Sequence, residues 1–167
     1  MPARFIPTLI CLTDTDVANT KLALPKAHAL MSCILRISGE SLNVDALLSQ
    51  CDMVPDRTWE KGEARSHKGK IYSDSGANFI ASEADFDEFT LQLTEATTYL
   101  ETHASTIAEM VAIPGVQFAV LDFGVCLREG NFAQFCYFPP QFIQLAGSAG
   151  IGLEVSQYAC SEDDSKS

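Results

Sequence analysis

The chain is poor in positive charge. Its 167 residues contain 11 lysines and arginines against 22 aspartates and glutamates, for a formal net charge of −11. Nucleic acids and anionic membranes recruit proteins through positive charge that displaces counterions. The composition therefore argues against both as partners and favours a basic protein, although the same acidity would also simply keep a protein soluble. It leaves open whether the chain is a monomer or a homodimer.

Long apolar runs are missing as well. A membrane-spanning helix needs about 20 consecutive apolar residues, whereas the apolar segment at residues 4–12 contains Pro7 and runs into polar residues without a small-residue cleavage pattern. We therefore expect a cytoplasmic protein. The six cysteines form no Cys-x-x-Cys pair and mostly lie in apolar segments. We expect them to be reduced, buried thiols rather than disulfides or metal ligands.

Motifs for catalysis or for a cofactor are absent. The sequence has no phosphate loop, nucleophile elbow, His-Glu-x-x-His pair or paired metal-ligand spacing. The glycine-rich segment 147–152 precedes a strand pattern, so we interpret it as a helix end. His103 continues the apolar stripe of a predicted helix and is interpreted as a core or helix-end residue. We expect a protein without catalytic residues, metal or cofactor.

One carboxylate, Asp122, lies inside a long apolar run. A buried carboxylate is costly unless it is paired with a cation. Arg36 and Arg128 lie on predicted strands and are the nearest candidates for this partner. We predict a structural ion pair rather than an active-site acid.

Hydrophobic periodicity predicts an α+β fold, with a mixed and mainly antiparallel β-sheet packed against one long and several short helices. Residues 1–27 are interpreted as an N-terminal extension that adds at most one strand, 28–160 as a single α+β domain, and 161–167 as an acidic disordered tail. The predicted elements are a strand at 31–37, a short helix after Asn43, one or two hairpin strands within 57–82, a long helix from Asp85, a short helix from Thr106, strands at 116–127 and 133–138, a helix from Pro139 and a strand at 151–159. The strands at 31–37, 116–127 and 151–158 are expected at the centre of the sheet.

Three segments carry a family resemblance: "LRISGESLNVDALL" at 35–48, "DRTWEKGEAR" at 56–65 and "FPPQFIQLAGSAGIGLEVSQY" at 138–158. In this succession, from Ala29 to Tyr158, the chain resembles the bacterial family named domain of unknown function 4279. The resemblance implies an α+β domain and gives no residue a catalytic role.

The few positive charges are clustered. Residues 57–70 hold five of the eleven lysines and arginines, and residues 71–127 hold none, but nine carboxylates. We interpret the basic segment as a structural hairpin anchored by Trp59 and Gly62. The acids of the long predicted helix are the candidate surface for a basic partner, because opposite charge speeds capture. These partner-binding candidates are Asp87, Glu88, Glu95 and Glu101.

Two functional hypotheses follow, beside a third and less favoured one, an enzyme of unrecognised type. The first is a non-catalytic protein-binding domain, an acidic bacterial immunity or inhibitor protein that neutralises a cognate basic toxin or effector. The alternative is a small-ligand-binding or regulatory domain with a pocket between the sheet and the long helix. Some of the ten phenylalanines would line that pocket, although they would equally form an ordinary core.

Overall fold

The computed structural model describes residues 32–65, 69–128 and 133–160, and for Arg128 the backbone only. Within them the elements are β1 (Cys33–Gly39), α1 (Val44–Leu48), β2 (Arg57–Trp59), β3 (Ser75–Ser82), α2 (Phe89–Val111), β4 (Phe118–Arg128), α3 (Pro140–Ser148) and β5 (Gly152–Cys160). The predicted α+β class is confirmed. The predicted extension at 1–27 and tail at 161–167 lie outside the described residues.

The strands form one sheet in the order β2-β3-β1-β4-β5. The pairs β2-β3, β3-β1 and β1-β4 are antiparallel, and β4-β5 is parallel. The sheet is thus mixed and mainly antiparallel, as expected. Among the described strands β5 lies at the edge rather than at the predicted centre, because β1 occupies one side of β4 and the crossover through α3 delivers β5 to the other side.

The helices cover one face of the sheet. On β1, the alternate residues Cys33, Leu35 and Ile37 are fully buried and belong to the core cluster together with the α2 residues Leu100 and Ile107. Alternation along a strand then places the remaining β1 side chains on the opposite face. This second face is the one that carries the polar cleft described below.

An aromatic cluster lies between the sheet and the helices. The ring centroid of Phe123 lies 5.6 Å from that of Phe89, 5.2 Å from Phe138 and 5.8 Å from Phe142. Such edge-to-face contacts stabilise a core beyond the buried area alone. These phenylalanines therefore form packed core rather than the lining of an open pocket.

The long helix α2 is continuous over Phe89–Val111. The separate helix predicted from Thr106 is wrong: the Thr106 and Glu109 pair, which resembles a capping box, lies in the interior of α2. Ile107 and Met110 are fully buried and continue the apolar stripe through this stretch. Among the described residues, no helix has the length and hydropathy needed to cross a bilayer.

The strand predicted at 133–138 is also wrong. This segment contains neither helix nor strand, and both sides of β4, the strand that precedes it in the chain, are paired with β1 and β5. The alternation of residues in this segment nevertheless indicates correctly which side chains face outward and which face the core. Phe135 and Tyr137 are exposed, whereas Phe138 packs against the aromatic cluster.

The structure joins Cys126 to Cys160 by a disulfide between β4 and β5. The expectation of reduced thiols is therefore wrong for this pair. Cys33, Cys51 and Cys136 are free, and burial raises the pKa of the Cys33 thiol well above its ordinary range. Because the thiolate is the reactive form, Cys33 is a structural residue rather than a nucleophile.

Candidate ligand-binding site

The carboxylates predicted to bind a partner lie before and along α2. Asp87, Glu88 and Glu101 are exposed, whereas Glu95 is half-buried and accepts a hydrogen bond from Ser82 Oγ at 2.6 Å. Glu95 and Glu101 are six residues apart, which separates them by about 120° around the helix. The structure therefore does not gather the predicted residues into one patch.

Glu88 has a local structural role. It is the N-cap residue of α2, which begins at Phe89 rather than near Asp85 as predicted. Its Oε2 accepts a hydrogen bond from the backbone N–H of Asp85 at 3.2 Å. This contact closes the turn before the helix and engages one of the predicted partner-binding carboxylates.

The basic segment folds back over the edge of the sheet. β2 pairs with β3, and the chain then turns at Gly62, whose φ of 91° is strained for any residue with a side chain. The Gly62 N–H donates to the Tyr72 carbonyl at 2.9 Å, and the Tyr72 N–H donates to the Glu63 carbonyl at 2.9 Å. These bonds, with the Arg65 N–H donating to the Lys70 carbonyl at 2.7 Å, fix Arg65 and Tyr72 above the sheet.

Trp59 is the buried residue under this segment. It is 7% exposed, and its Nε1 donates a hydrogen bond to Asp74 Oδ1 at 3.0 Å. Its ring stacks on Tyr72 with centroids 5.5 Å apart. A side chain at Gly76 would collide with the indole and with the Ile37 carbonyl, so the glycine makes room for Trp59.

Strand register brings polar residues of three strands into one row. Arg36 on β1 is opposite Asn78 on β3, and Asn78 is opposite Arg57 on β2. Side chains at paired positions share a face, and the neighbours of Arg36 on β1 point to the helices. The row therefore lies on the face of the sheet that the helices leave uncovered.

The row and the folded-back segment enclose a cleft of about 380 Å³. We call it the arginine cleft. Its lining residues are Arg36, Ser38, Arg57, Trp59, Arg65, Tyr72, Ser73, Asp74 and Asn78. Its described lining includes neither histidine nor cysteine. The cleft differs from the pocket expected between the sheet and the long helix in lying on the other side of the sheet.

Arg36, at the sheet side of the cleft, is already paired. Its Nη2 lies 2.7 Å from Asp122 Oδ2, and its Nη1 lies 3.8 Å from Glu154 Oε2. Asp122 Oδ1 also accepts a hydrogen bond from Ser156 Oγ at 2.8 Å. The predicted structural ion pair of Asp122 is thus confirmed with Arg36 as the partner.

The charges of Arg57 and Arg65 are in a different environment from that of Arg36. Their guanidinium carbons lie 5.6 Å and 5.0 Å from the centroid of the Tyr72 ring, where the ring quadrupole attracts a cation. Both side chains are exposed, and neither forms an ion pair with a carboxylate in the part of the chain that the structure describes. Two neighbouring positive charges therefore remain available to an anion.

Asn78 adds an unsatisfied acceptor. Its Oδ1 is buried and has no hydrogen-bond partner among the described residues. A buried acceptor without a partner costs about 1–3 kcal/mol. A donor on a bound molecule or water that reached this amide would recover part of that cost.

Sequence reasoning recognised the basic segment but missed the cleft. Arg36, Tyr72 and Asn78 were not singled out for binding, since only strand register and the fold-back at Gly62 bring them to Arg57. His103 is half-buried and contacts the ring of Tyr99, with centroids 4.9 Å apart. Across residues 32–65, 69–128 and 133–160, no group of three histidine, cysteine or acidic side chains is arranged to hold a metal ion.

Comparison with known proteins identifies a family but no activity. No curated protein and no solved structure matches the chain. A family model described as Domain of unknown function (DUF4279) matches residues 28–160, which include all five strands and the arginine cleft. The chain belongs to the family Domain of unknown function (DUF4279).

Proposed function

We propose that the chain is a non-catalytic binding domain whose arginine cleft holds a small anionic ligand. The observation that carries this proposal is the pair Arg57 and Arg65, two cations over one aromatic ring that have no carboxylate partner among the described residues, in a protein of net charge −11. Like charges held close together repel each other. A bound anion removes this repulsion and replaces it with charge-assisted hydrogen bonds.

The lining of the cleft favours binding over catalysis. General acid–base or nucleophilic catalysis needs a reactive group beside a base or acid of suitable pKa. Among the described residues, the only carboxylate in the lining is Asp74, and its Oδ1 already accepts the indole N–H of Trp59. Apart from the acceptor of Asn78, the remaining polar side chains can donate hydrogen bonds to an anion, and the volume lies within the usual range for small-molecule sites.

The proposal includes a cytoplasmic location. The free thiols Cys33, Cys51 and Cys136 favour a reducing compartment. The disulfide between Cys126 and Cys160 is more typical of an oxidising one. The composition and the three thiols together support the cytoplasm, and the disulfide counts against it.

A panel of small anionic metabolites, screened by thermal shift at low ionic strength, tests the proposed function. We expect at least one anion at saturating concentration to raise the melting temperature by about 5 °C or more. The double variant Arg57→Gln/Arg65→Gln should lose this shift, because both available cations are gone. Calorimetric titration of the active compound then gives its affinity for each variant.

Lys61→Gln is the matched control. Lys61 lies on the same hairpin, but its Nζ pairs with Glu40 at 3.3 Å, and it does not line the cleft. Lys61→Gln removes one positive charge, as each of the two arginine substitutions does. It should nevertheless keep the full ligand-induced increase in melting temperature. Either a panel without any stabilising anion or a shift that survives in the double variant would contradict the proposal.

A basic protein partner is a second candidate, favoured by the absence of lysine and arginine from α2 and by the exposure of Glu101 and Glu109. In this role the chain is an immunity or inhibitor protein for a basic toxin or effector.

We expect Glu101→Lys/Glu109→Lys to weaken partner binding about tenfold or more at low salt. Co-purification from the native host measures the loss, and Asp56→Lys/Glu63→Lys provides the same charge change beside β2 and on the hairpin. Equal losses in both double variants would exclude α2 as the docking surface.

A further inference from the structure

We propose that the ligand of the arginine cleft is a small molecule carrying a phosphate monoester, an inference which rests on the proposed function and names its ligand class. A phosphate monoester carries a charge of about −1.5 to −2 at neutral pH and offers three acceptor oxygens. The available side chains of the cleft match both properties. The match depends on the geometry of Arg57 and Arg65.

Each arginine is a rigid fork that binds an oxygen pair best when both of its arms are used. Arg57 enters the cleft from β2, and Arg65 enters from the folded-back segment, yet both are held by the same Tyr72 ring. A carboxylate presents one two-oxygen edge and so satisfies one fork fully. A tetrahedral phosphate has several oxygen pairs, so it can accept both forks from different directions.

The charges around the cleft also favour a phosphate monoester. The Arg36 charge is offset by Asp122, and Asp74 also faces the cleft as a negative group. A monoanion opposed by Asp74 gains little from the positive charge that remains. A dianion gains about twice as much from the same field and uses both Arg57 and Arg65.

Burial indicates where the phosphate and the rest of the ligand lie. Arg57 and Arg65 are exposed, whereas Ser38 is 3% exposed and the Oδ1 of Asn78 is buried. The phosphate therefore binds at the hairpin end, and the organic part extends toward the sheet. At about 380 Å³ the cleft has room for both, and a donor on the organic part would complement Asn78. The net charge of −11 disfavours a long polyanion such as a nucleic acid.

The ligand class predicts a pH dependence with a definite sign. The second ionisation of a phosphate monoester has a pKa of about 6, while arginine stays charged throughout. Affinity should therefore fall as the pH drops through 6. The carboxylates around the site, Asp74 in the lining and Asp122 and Glu154 beside Arg36, carry negative charge that opposes an anion, and they act equally on a phosphate and on a sulfate probe.

Phenyl phosphate and phenyl sulfate form a matched pair of probes, because they share shape and oxygen geometry but only the phosphate becomes a dianion. Titration calorimetry at about pH 8 should give a Kd about tenfold or more lower for phenyl phosphate. At about pH 5 both probes are mainly monoanions, and the two Kd values should approach each other. Inorganic phosphate and succinate extend the comparison to a compact dianion and to a dicarboxylate.

Variants locate the binding. Arg57→Gln and Arg65→Gln should each weaken phenyl phosphate binding about tenfold or more, and Lys61→Gln should leave it unchanged. Arg65→Lys keeps the charge but removes the fork, so it should lose most of the affinity that Arg65→Gln loses. Full retention of binding in Arg65→Lys would overturn the two-fork geometry.

The remaining outcomes separate this inference from the proposed function. Equal affinity for both phenyl esters at about pH 8, or tighter binding of succinate than of either phosphate, would overturn the phosphate assignment. If no phosphate binds but another anion of the metabolite panel does so through Arg57 and Arg65, the proposed function stands and this inference fails. If no anion binds at all, both fail.

Discussion

Replacing Trp59 by alanine should lower the free energy of unfolding by about 3–5 kcal/mol, the usual cost of deleting a large buried aromatic side chain. The indole is buried, stacks on Tyr72 and fills the space left by Gly76. A domain of this size has about 5–15 kcal/mol of total stability, so the variant should be marginally folded. Urea unfolding followed by far-UV circular dichroism is the appropriate measurement, because Trp59 is the sole tryptophan of the chain.

Trp59→Phe separates packing from hydrogen bonding. It keeps an aromatic ring against Tyr72 but removes the N–H that Asp74 accepts. Since Asp74 is half-buried and retains access to water, we expect a smaller loss of about 1–2 kcal/mol. Lys61→Ala, which breaks only an exposed ion pair with Glu40, should cost at most about 1 kcal/mol. A Trp59→Ala variant as stable as Lys61→Ala would show that the tryptophan does not anchor the hairpin.

Local signals in the sequence predicted local structure well. A short helix was predicted after Asn43, and Asn43 is the N-cap of α1, with its Oδ1 accepting the Ala46 N–H at 2.9 Å. Alternation located β1, because a strand with one face in a core repeats every two residues. The helix α1 is indeed short, since it has five residues and ends at Leu48.

Most of the predictions that failed depended on distant partners. Alternation at 133–138 shows an extended chain with an inner and an outer side, but it does not show whether a neighbouring strand has a free edge. The Thr106 and Glu109 pattern likewise appears at helix starts and in helix interiors. Whether α2 continues there depends on the packing of Ile107 and Met110 against the core.

The arginine cleft also depends on contacts between distant parts of the chain. A slip of one residue in strand pairing moves every side chain to the other face of the sheet. The encounter of Arg36, Asn78 and Arg57 therefore depends on a register that the sequence does not encode locally. The position of Arg65 depends on backbone hydrogen bonds between Gly62 and Tyr72. Clustering of basic residues could identify the segment, but not the face on which its arginines converge.

Asp122→Asn should have the second large effect, lowering the free energy of unfolding by about 2–4 kcal/mol. Removing one member of a buried ion pair leaves the other charge uncompensated, at a typical cost of about 3–5 kcal/mol. The lower range applies because Arg36 is 32% exposed and also lies near Glu154. Ser156 can still donate to the asparagine oxygen. Urea unfolding measures the change, and Ser156→Ala, which removes only that hydrogen bond, should cost about 1 kcal/mol.

The same substitution should change anion binding in the opposite direction. Without the Asp122 charge, Arg36 is less neutralised at the sheet side of the arginine cleft, so we expect the affinity for phenyl phosphate to rise several-fold. Ser156→Ala leaves the charges in place and should not alter it. Asp122 would thus stabilise the fold while weakening the site, which is the relation expected of a structural ion pair that shares its arginine with a ligand. If Asp122→Asn abolished binding and left stability intact, Asp122 would instead be a functional group of the site, and the structural interpretation of this ion pair would be wrong.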